Sequence, residues 1–262
     1  MAYETIIYEK KNAMAKITLN RPDAMNAMNR TMVLEVGQAL DDAEADNNVR
    51  VVVLKGNGKA FCAGVDVKFS VSELKTLQDQ QDFFRLANKE TLEKMEGLSK
   101  PVIAAVHGYC LAGGFEVMLA TDLVIATEDA KIGDQHINVA QFGGGGCDYR
   151  LALLVGMRKA KEIVLTGKRL SGKEAERIGL VNLAVPADKL DSAVEELAAE
   201  LSQKSPVALR LSKWFINKVS MMDSDMRLEL AIMYGLIGST SEDAQEGFRA
   251  FNEKRAPVFK GR

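Results

Sequence analysis

The chain has 262 residues, 47% of them hydrophobic, and sets 34 Lys plus Arg against 36 Asp plus Glu for a net charge of -2. That is ample apolar material for a substantial core, and no global field draws the chain to nucleic acid or to an anionic membrane. No apolar run approaches the roughly 18 residues needed to span a bilayer.

Taken in chain order, residues 5–9 and 13–19 read as two strands, with Lys11-Asn12 as the hairpin turn between them. Asn20-Arg21-Pro22-Asp23 breaks the pattern. From Asn29 to Ala45, Met32, Val33, Val36, Leu40 and Ala43 share one helical face. Val51-Val52-Val53-Leu54 is a continuous apolar run, hence a buried strand, closed by Gly56-Asn57-Gly58. Residues 69–98 are charged, and helical spacing emerges only later, at Phe83, Phe84, Leu86, Ala87, Leu92 and Met95. The low apolar content of 70–80 predicts a mobile segment. Lys100-Pro101 separates this helix from a strand at Val102-Ile103-Ala104-Ala105-Val106, and Leu123-Val124-Ile125-Ala126 is a further buried strand. Continuous apolar strands alternating with helices predict an α/β fold with covered sheets. After residue 150 the strand signal fades. Residues 150–167, 172–179, 188–203, 206–220 and 224–251 read as helices, with Ser171, Ser205 and Ser241 as starts. The chain divides on this reading into an α/β core at 1–200 and a helical region at 201–262, suited to a lid or an oligomer interface.

Several chemistries find no support. There is no Walker P-loop and no GxGxxG at a strand–helix joint. Two histidines, His107 and His136, do not build a histidine-rich metal site. Cys62, Cys110 and Cys147 lack CxxC spacing and read as reduced thiols. With an N-terminus that lacks signal architecture, they point to the cytoplasm.

Two joints carry the chemistry. In Cys110-Leu111-Ala112-Gly113-Gly114-Phe115-Glu116, two glycines stand where a strand hands over to a helix, and a carboxylate follows. Glycine permits close backbone approach, and amides at a helix start are unpaired and partly positive. Lys59-Ala60-Phe61-Cys62-Ala63-Gly64-Val65-Asp66 repeats the arrangement after the strand at 51–54. One amide from each joint would converge on a single carbonyl oxygen as an oxyanion hole. Read alone, each is equally an ordinary strand–turn–helix joint with Glu116 in solvent.

With these joints in view, the chain resembles the crotonase superfamily, the enoyl-CoA hydratases and isomerases. The likeness runs through Asn20-Arg21-Pro22-Asp23-Ala24-Met25-Asn26-Ala27, Phe61–Asp66, Gly108–Glu116, Leu165-Thr166-Gly167-Lys168, Ala175–Val181 and Glu253–Phe259. The resemblance implies a crotonase-like spiral of ββα units with a helical C-terminal region, assembled as a homotrimer or homohexamer. It implies an acyl-CoA thioester as ligand, its oxygen held by the N–H groups of Val65 and Gly113, with no metal or redox cofactor beyond the coenzyme A of the substrate. Ala63, Gly64, Asp66, Val67 and Lys68 would line the acyl-CoA path. Ala24 and Met25 would lie near the pantetheine or adenine end, and Phe259 and Lys260 near a CoA, including that of a neighbouring subunit. The activity implied is hydration of a 2-enoyl-CoA. Double-bond isomerisation, ring-opening hydrolysis and decarboxylation are the alternatives, and a non-catalytic RNA-binding or scaffold relative is a further one that the absence of a basic stripe disfavours.

The family's hydratases pair two glutamates, one of which matches Glu116. At the second position this chain has His136. An imidazole there serves as acid or base, or else merely shapes the pocket. Asp134, two residues earlier, shares its face if the stretch is extended. His107 reads as structural. The loop Gln141-Phe142-Gly143-Gly144-Gly145-Gly146-Cys147-Asp148-Tyr149 is richer in glycine than the family's usual loop and lacks its proline. Its glycines, Gly144 among them, are expected to make room for a branched or cyclic acyl chain, with Cys147 as a packing residue.

Overall fold

The computed structural model describes residues 3–262. Strands β1 (Ile6–Lys11) and β2 (Met14–Leu19) pair antiparallel around Asn12 and Ala13, which take φ of 53° and 60°. Two successive left-handed residues match the twist of a tight hairpin. Asn29 caps α1 (Arg30–Ala45) by accepting from the Met32 N–H at 2.9 Å. β3 (Val51–Gly56) passes into the short β4 (Ala60–Cys62), then into α2 (Val67–Glu73) and α3 (Leu77–Ala87). A π-helical turn, Asn88–Glu93, carries α3 into α4 (Lys94–Gly97). β5 (Val102–Val106) is followed by β6 (Tyr109–Leu111) and α5 (Gly113–Leu119). β7 (Leu123–Thr127) is followed by β8 (Lys131–Gly133) and, after a glycine loop, α6 (Cys147–Val155). The remainder comprises α7 (Met157–Thr166), α8 (Gly172–Arg177), β9 (Leu183–Val185), α9 (Leu190–Ser202), α10 (Pro206–Val219), α11 (Ser224–Ser239) and α12 (Glu242–Asn252).

A strand of a large sheet thus hands over repeatedly to a strand of a small sheet and then to a helix. The large sheet has the order β1-β2-β3-β5-β7-β9 and is parallel beyond β2; the small one, β4-β6-β8, is parallel throughout. The apolar runs are continuous because the large sheet is covered on both faces. Val52, Leu54, Ala104 and Val106 join the main core with α1 and α5. Val51, Val53, Ile103 and Ile125 face Leu190, Val194 and Ala198 of α9. Full burial of each such aliphatic side chain stabilises by about 1.5–3 kcal/mol.

The structure departs from the predicted elements at four places. Residues 70–80, for which no helix start is predicted, are largely helical: Asp66 caps α2, and Thr76 with Asp79 forms a capping box on α3. Side-chain caps, which an apolar-periodicity reading overlooks, supply what apolar content does not. The helix expected at 150–167 is divided at Gly156, whose φ is 77°, and that at 224–251 breaks at Ser241, the cap of α12. The sheet also gains β9 after residue 150. Ser171, Ser205 and Ser241 each cap a helix. Helix α11 buries none of its residues and exposes Met226, Leu228, Ile232, Met233, Leu236 and Ile237.

Candidate active site

The small sheet positions the chemistry. Val65 follows the end of β4, Gly113 and Glu116 follow β6, and Asp134 and His136 follow β8. The three strands are parallel neighbours, so their carboxyl ends open at one edge. Ligands of parallel sheets bind at such edges.

The first two loops lie against each other. A β-carbon placed on Gly113 would fall 3.5 Å from the Val65 nitrogen and 3.4 Å from Gly64 Cα. One on Gly114 would fall 2.1 Å from the Cys62 carbonyl oxygen, so only glycine lets α5 start this close to β4. Ala112 turns the chain between β6 and α5 at φ 49° and ψ -122°, a strained conformation for a residue with a β-carbon. Segment 25–28 ties down the other loop. The Ala63 N–H donates to Met25 O (3.1 Å), the Met28 N–H to Gly64 O (2.7 Å) and the Asp66 N–H to Met28 O (2.9 Å). Between those bonds the Val65 N–H meets no protein acceptor, and neither does the Gly113 N–H, among the described residues. Two adjacent, fixed and unpaired N–H groups suit an oxygen that gains negative charge.

Glu116 is only 7% exposed. Burial pushes its pKa up, against opposing contributions from His136 and from the N–H groups of Gly145 and Cys147. The Gly145 N–H donates to Glu116 Oε1 at 2.7 Å. The glycine loop wraps this carboxylate: a β-carbon on Gly145 would lie 2.6 Å from Oε2, and one on Gly143 would lie 3.0 Å from Oε1. The missing side chains at 143 and 145 therefore make room for Glu116 itself, where an acyl chain was expected. Arg150 fixes the loop from behind, donating to the Gly145 carbonyl at 2.5 Å and pairing with Glu96 at 2.6 Å.

His136 faces the same small space, since that Gly143 β-carbon would also lie 3.2 Å from His136 Nδ1. Nδ1 pairs with Asp134 Oδ1, which also accepts from the His136 backbone N–H at 3.2 Å. Asp134 is 2% exposed. Burial lowers the His136 pKa, but the hydrogen bond and charge of Asp134, with the charges of Glu116 and Asp148, outweigh it, and the net shift is upward. Asp134, Cys147 and Asp148 also bring three donor atoms within 4.8 Å of one another. The Cys147 thiol is buried and its pKa is pushed far up, first by burial, which suits a packing residue rather than a thiolate ligand.

Residues 9–262 match the sequence profile of the enoyl-CoA hydratase/isomerase family. The chain belongs to that family. The Bacillus subtilis protein YngF is 41% identical over 98% of this chain and 99% of its own length. The short-chain-enoyl-CoA hydratase of Clostridium acetobutylicum is 36% identical over 97% of each chain. Among solved structures, an enoyl-CoA hydratase from Bacillus anthracis superposes with a TM-score of 0.94 at 33% identity, covering 99% of this chain and 100% of its own.

Other residues singled out by the family resemblance are dispersed. Ala24 ends a 3-10 turn and Met25 follows it at φ 51°, joined to the Val65 loop through Ala63. The Asp66 carboxylate caps α2 through the Lys68 and Phe69 N–H groups and pairs with Arg21 at 2.8 Å, so it braces the loop. Val67 and Lys68 are exposed beside it. Gly144 faces the Phe84 ring, which a β-carbon there would approach to 3.8 Å. Phe259 and Lys260 lie elsewhere: the Phe259 carbonyl accepts from Arg50 and the Lys260 N–H donates to Asp243. His107 Nε2 lies 3.0 Å from Gly58 O, a structural contact. Sequence reasoning missed Arg150 and Phe84. A lone arginine in the apolar stretch Arg150-Leu151-Ala152-Leu153-Leu154 was the signal for the first; nothing local marked the second.

Proposed function

We propose that this enzyme hydrates 2-enoyl-CoA thioesters to 3-hydroxyacyl-CoA, with Glu116 and His136 as its proton-transfer groups. The observation that carries the reading is the meeting of two unpaired N–H groups with two proton-transfer groups at one sheet edge. The thioester oxygen accepts from Val65 and Gly113. Glu116 takes a proton from water as the water oxygen bonds to the β-carbon. The π-electron pair moves toward the thioester oxygen as an enolate, which the two N–H groups stabilise. Collapse of the enolate takes a proton from the His136 imidazolium to the α-carbon. The proton held by Glu116 then returns to His136, and the site is reset. Each proton transfer of this kind contributes about 10²–10⁴-fold.

The acyl chain passes the Gly144–Phe84 side, where the absent side chain at 144, and not those at 143 and 145, leaves room for a branched or cyclic group. Coenzyme A enters with the substrate, and no other cofactor takes part. The exposed apolar face of α11 is covered in a homotrimer or homohexamer, and the buried free thiols fit a cytoplasmic protein. Incubation with a panel of enoyl-CoA esters tests the reading. Loss of the conjugated-thioester absorbance with matching 3-hydroxyacyl-CoA supports it. Double-bond migration without net water uptake, or no turnover of any ester, overturns it.

A further inference from the structure

We propose that Asp134 is a positioning residue: it binds the His136 ring through Nδ1, so that Nε2 is the nitrogen that gives up and regains the mobile proton. The inference rests on the hydration chemistry above and names how its acid is built. A lone imidazole has two equivalent ways to hold one proton, and only one leaves a chosen nitrogen free. Here Asp134 Oδ1 accepts from the backbone N–H and from the ring of the same residue, which fixes the ring relative to its own main chain. Among the described residues Nε2 has no protein partner.

Charge explains why an aspartate accompanies a histidine. A proton-loaded carboxylic acid is neutral and becomes an anion when it gives up the proton. A histidine alone would go from cation to neutral. The Asp134 carboxylate together with the imidazolium is neutral, and becomes an anion when Nε2 gives up its proton. The pair therefore behaves toward the growing enolate as a carboxylic acid would, in a site that already holds the Glu116 carboxylate. The groups facing the ring are Asp134 and Glu116, with Asp148 and the Cys147 thiol packed beside them. All three carboxylates favour the loaded form. Among the described residues Asp134 alone contacts Nδ1.

The chain has only two histidines, so side-chain nitrogen NMR on ¹⁵N-histidine-labelled enzyme reads His136 directly, whether or not any substrate turns over. The wild-type ring is expected to keep its proton on Nδ1 when neutral and to titrate above the ordinary 6.5. Asp134→Asn should lower that midpoint, because the hydrogen bond and charge that raise it are removed. It should cut kcat about 10²-fold with KM within about threefold, and pull the high-pH limb of kcat down by the same interval. In a His136→Gln background, Asp134→Asn should cost less than about twofold, because the group it acts through is gone. Equal losses in both backgrounds, or an unchanged midpoint and tautomer, would overturn the assignment. If Asp134→Asn does not fold, the wild-type tautomer and Asp134→Glu, which should retain the raised midpoint, decide it. An enzyme that hydrates no ester yet shows the Nδ1-bound ring refutes the hydration reading and leaves the pair standing.

Discussion

Substitution of Gly145 by alanine tests whether the glycine loop exists to hold Glu116. The added β-carbon would lie 2.6 Å from Oε2, 2.7 Å from Cδ and 3.0 Å from Oε1 of that carboxylate, the first two closer than real β-carbons come. The loop has little freedom to retreat, because Arg150 holds the Gly145 carbonyl and Glu96 holds Arg150. The carboxylate must move instead, and its bond from the Gly145 N–H goes with it. Overpacking of this kind costs about 1–3 kcal/mol of stability. A displacement of about 1 Å in a reacting group costs about 10²-fold in rate. Gly145→Ala should therefore lower kcat about 10²-fold, leave KM within about threefold and lower Tm by several degrees. Gly144→Ala is the comparison, since its β-carbon meets only the Phe84 ring at 3.8 Å, an ordinary contact. Its effect should fall on KM for bulky acyl groups, with kcat within about threefold. Steady-state kinetics on both variants decide the matter. Equal kcat for the two would refute the steric reasoning.

Glu116→Gln keeps the shape and removes the proposed base; kcat should fall by about 10²–10⁴-fold, with product inhibition constants within about threefold of wild type. A variant that keeps a tenth of wild-type turnover would place the base elsewhere. The pH profile of kcat/KM should be a bell. Activity rises with pH as Glu116 ionises, above the ordinary 4.5 because burial raises it, and falls as His136 loses its proton above 6.5. The two limbs belong to the coupled pair, so removing His136 should shift the acid limb as well. Lys213→Met breaks the buried 2.7 Å pair with Asp122 and the bonds from Nζ to Met95 O and Lys100 O. It should cost about 3–5 kcal/mol in urea unfolding. Burial already raises the Asp122 pKa, so the loss should be largest at neutral pH and shrink as pH falls and Asp122 protonates. A cost below about 1 kcal/mol would show that the pair is not a structural anchor.

Strands β1, β2, β3, β5 and β7 and helix α1 were legible because burial on one or both faces writes itself into local apolar pattern. The three-residue strands β4, β6, β8 and β9 were not, since each is too short for periodicity, and β9 pairs only through the β7 edge. Helix α2 and the first turns of α3 were hidden for a different reason: their starts depend on Asp66, Thr76 and Asp79, whose bonds lie in three-residue geometry rather than in hydrophobicity. At the site, the glycine joints announced the two N–H groups, because close approach demands glycine whatever the partner. The same residue type misled at 143 and 145, where sequence shows that room is needed but not for what. Only the structure shows a carboxylate filling it. Asp134 and His136 were visible as neighbours, but a shared strand face was the wrong geometry; the chain leaves β8 before them, and the aspartate turns back on the histidine that follows it.

The splice of Met28 onto the Val65 loop has a signature that needs no substrate. The Met28 and Asp66 amides are bonded across the splice, while Val65, between Gly64 and Asp66, is open. Amide hydrogen exchange should thus read slow at 28 and 66 and fast at 65. A thioester bound in the site should slow that one amide more than its neighbours, which makes the exchange rate at Val65 a direct occupancy meter for the donor pair.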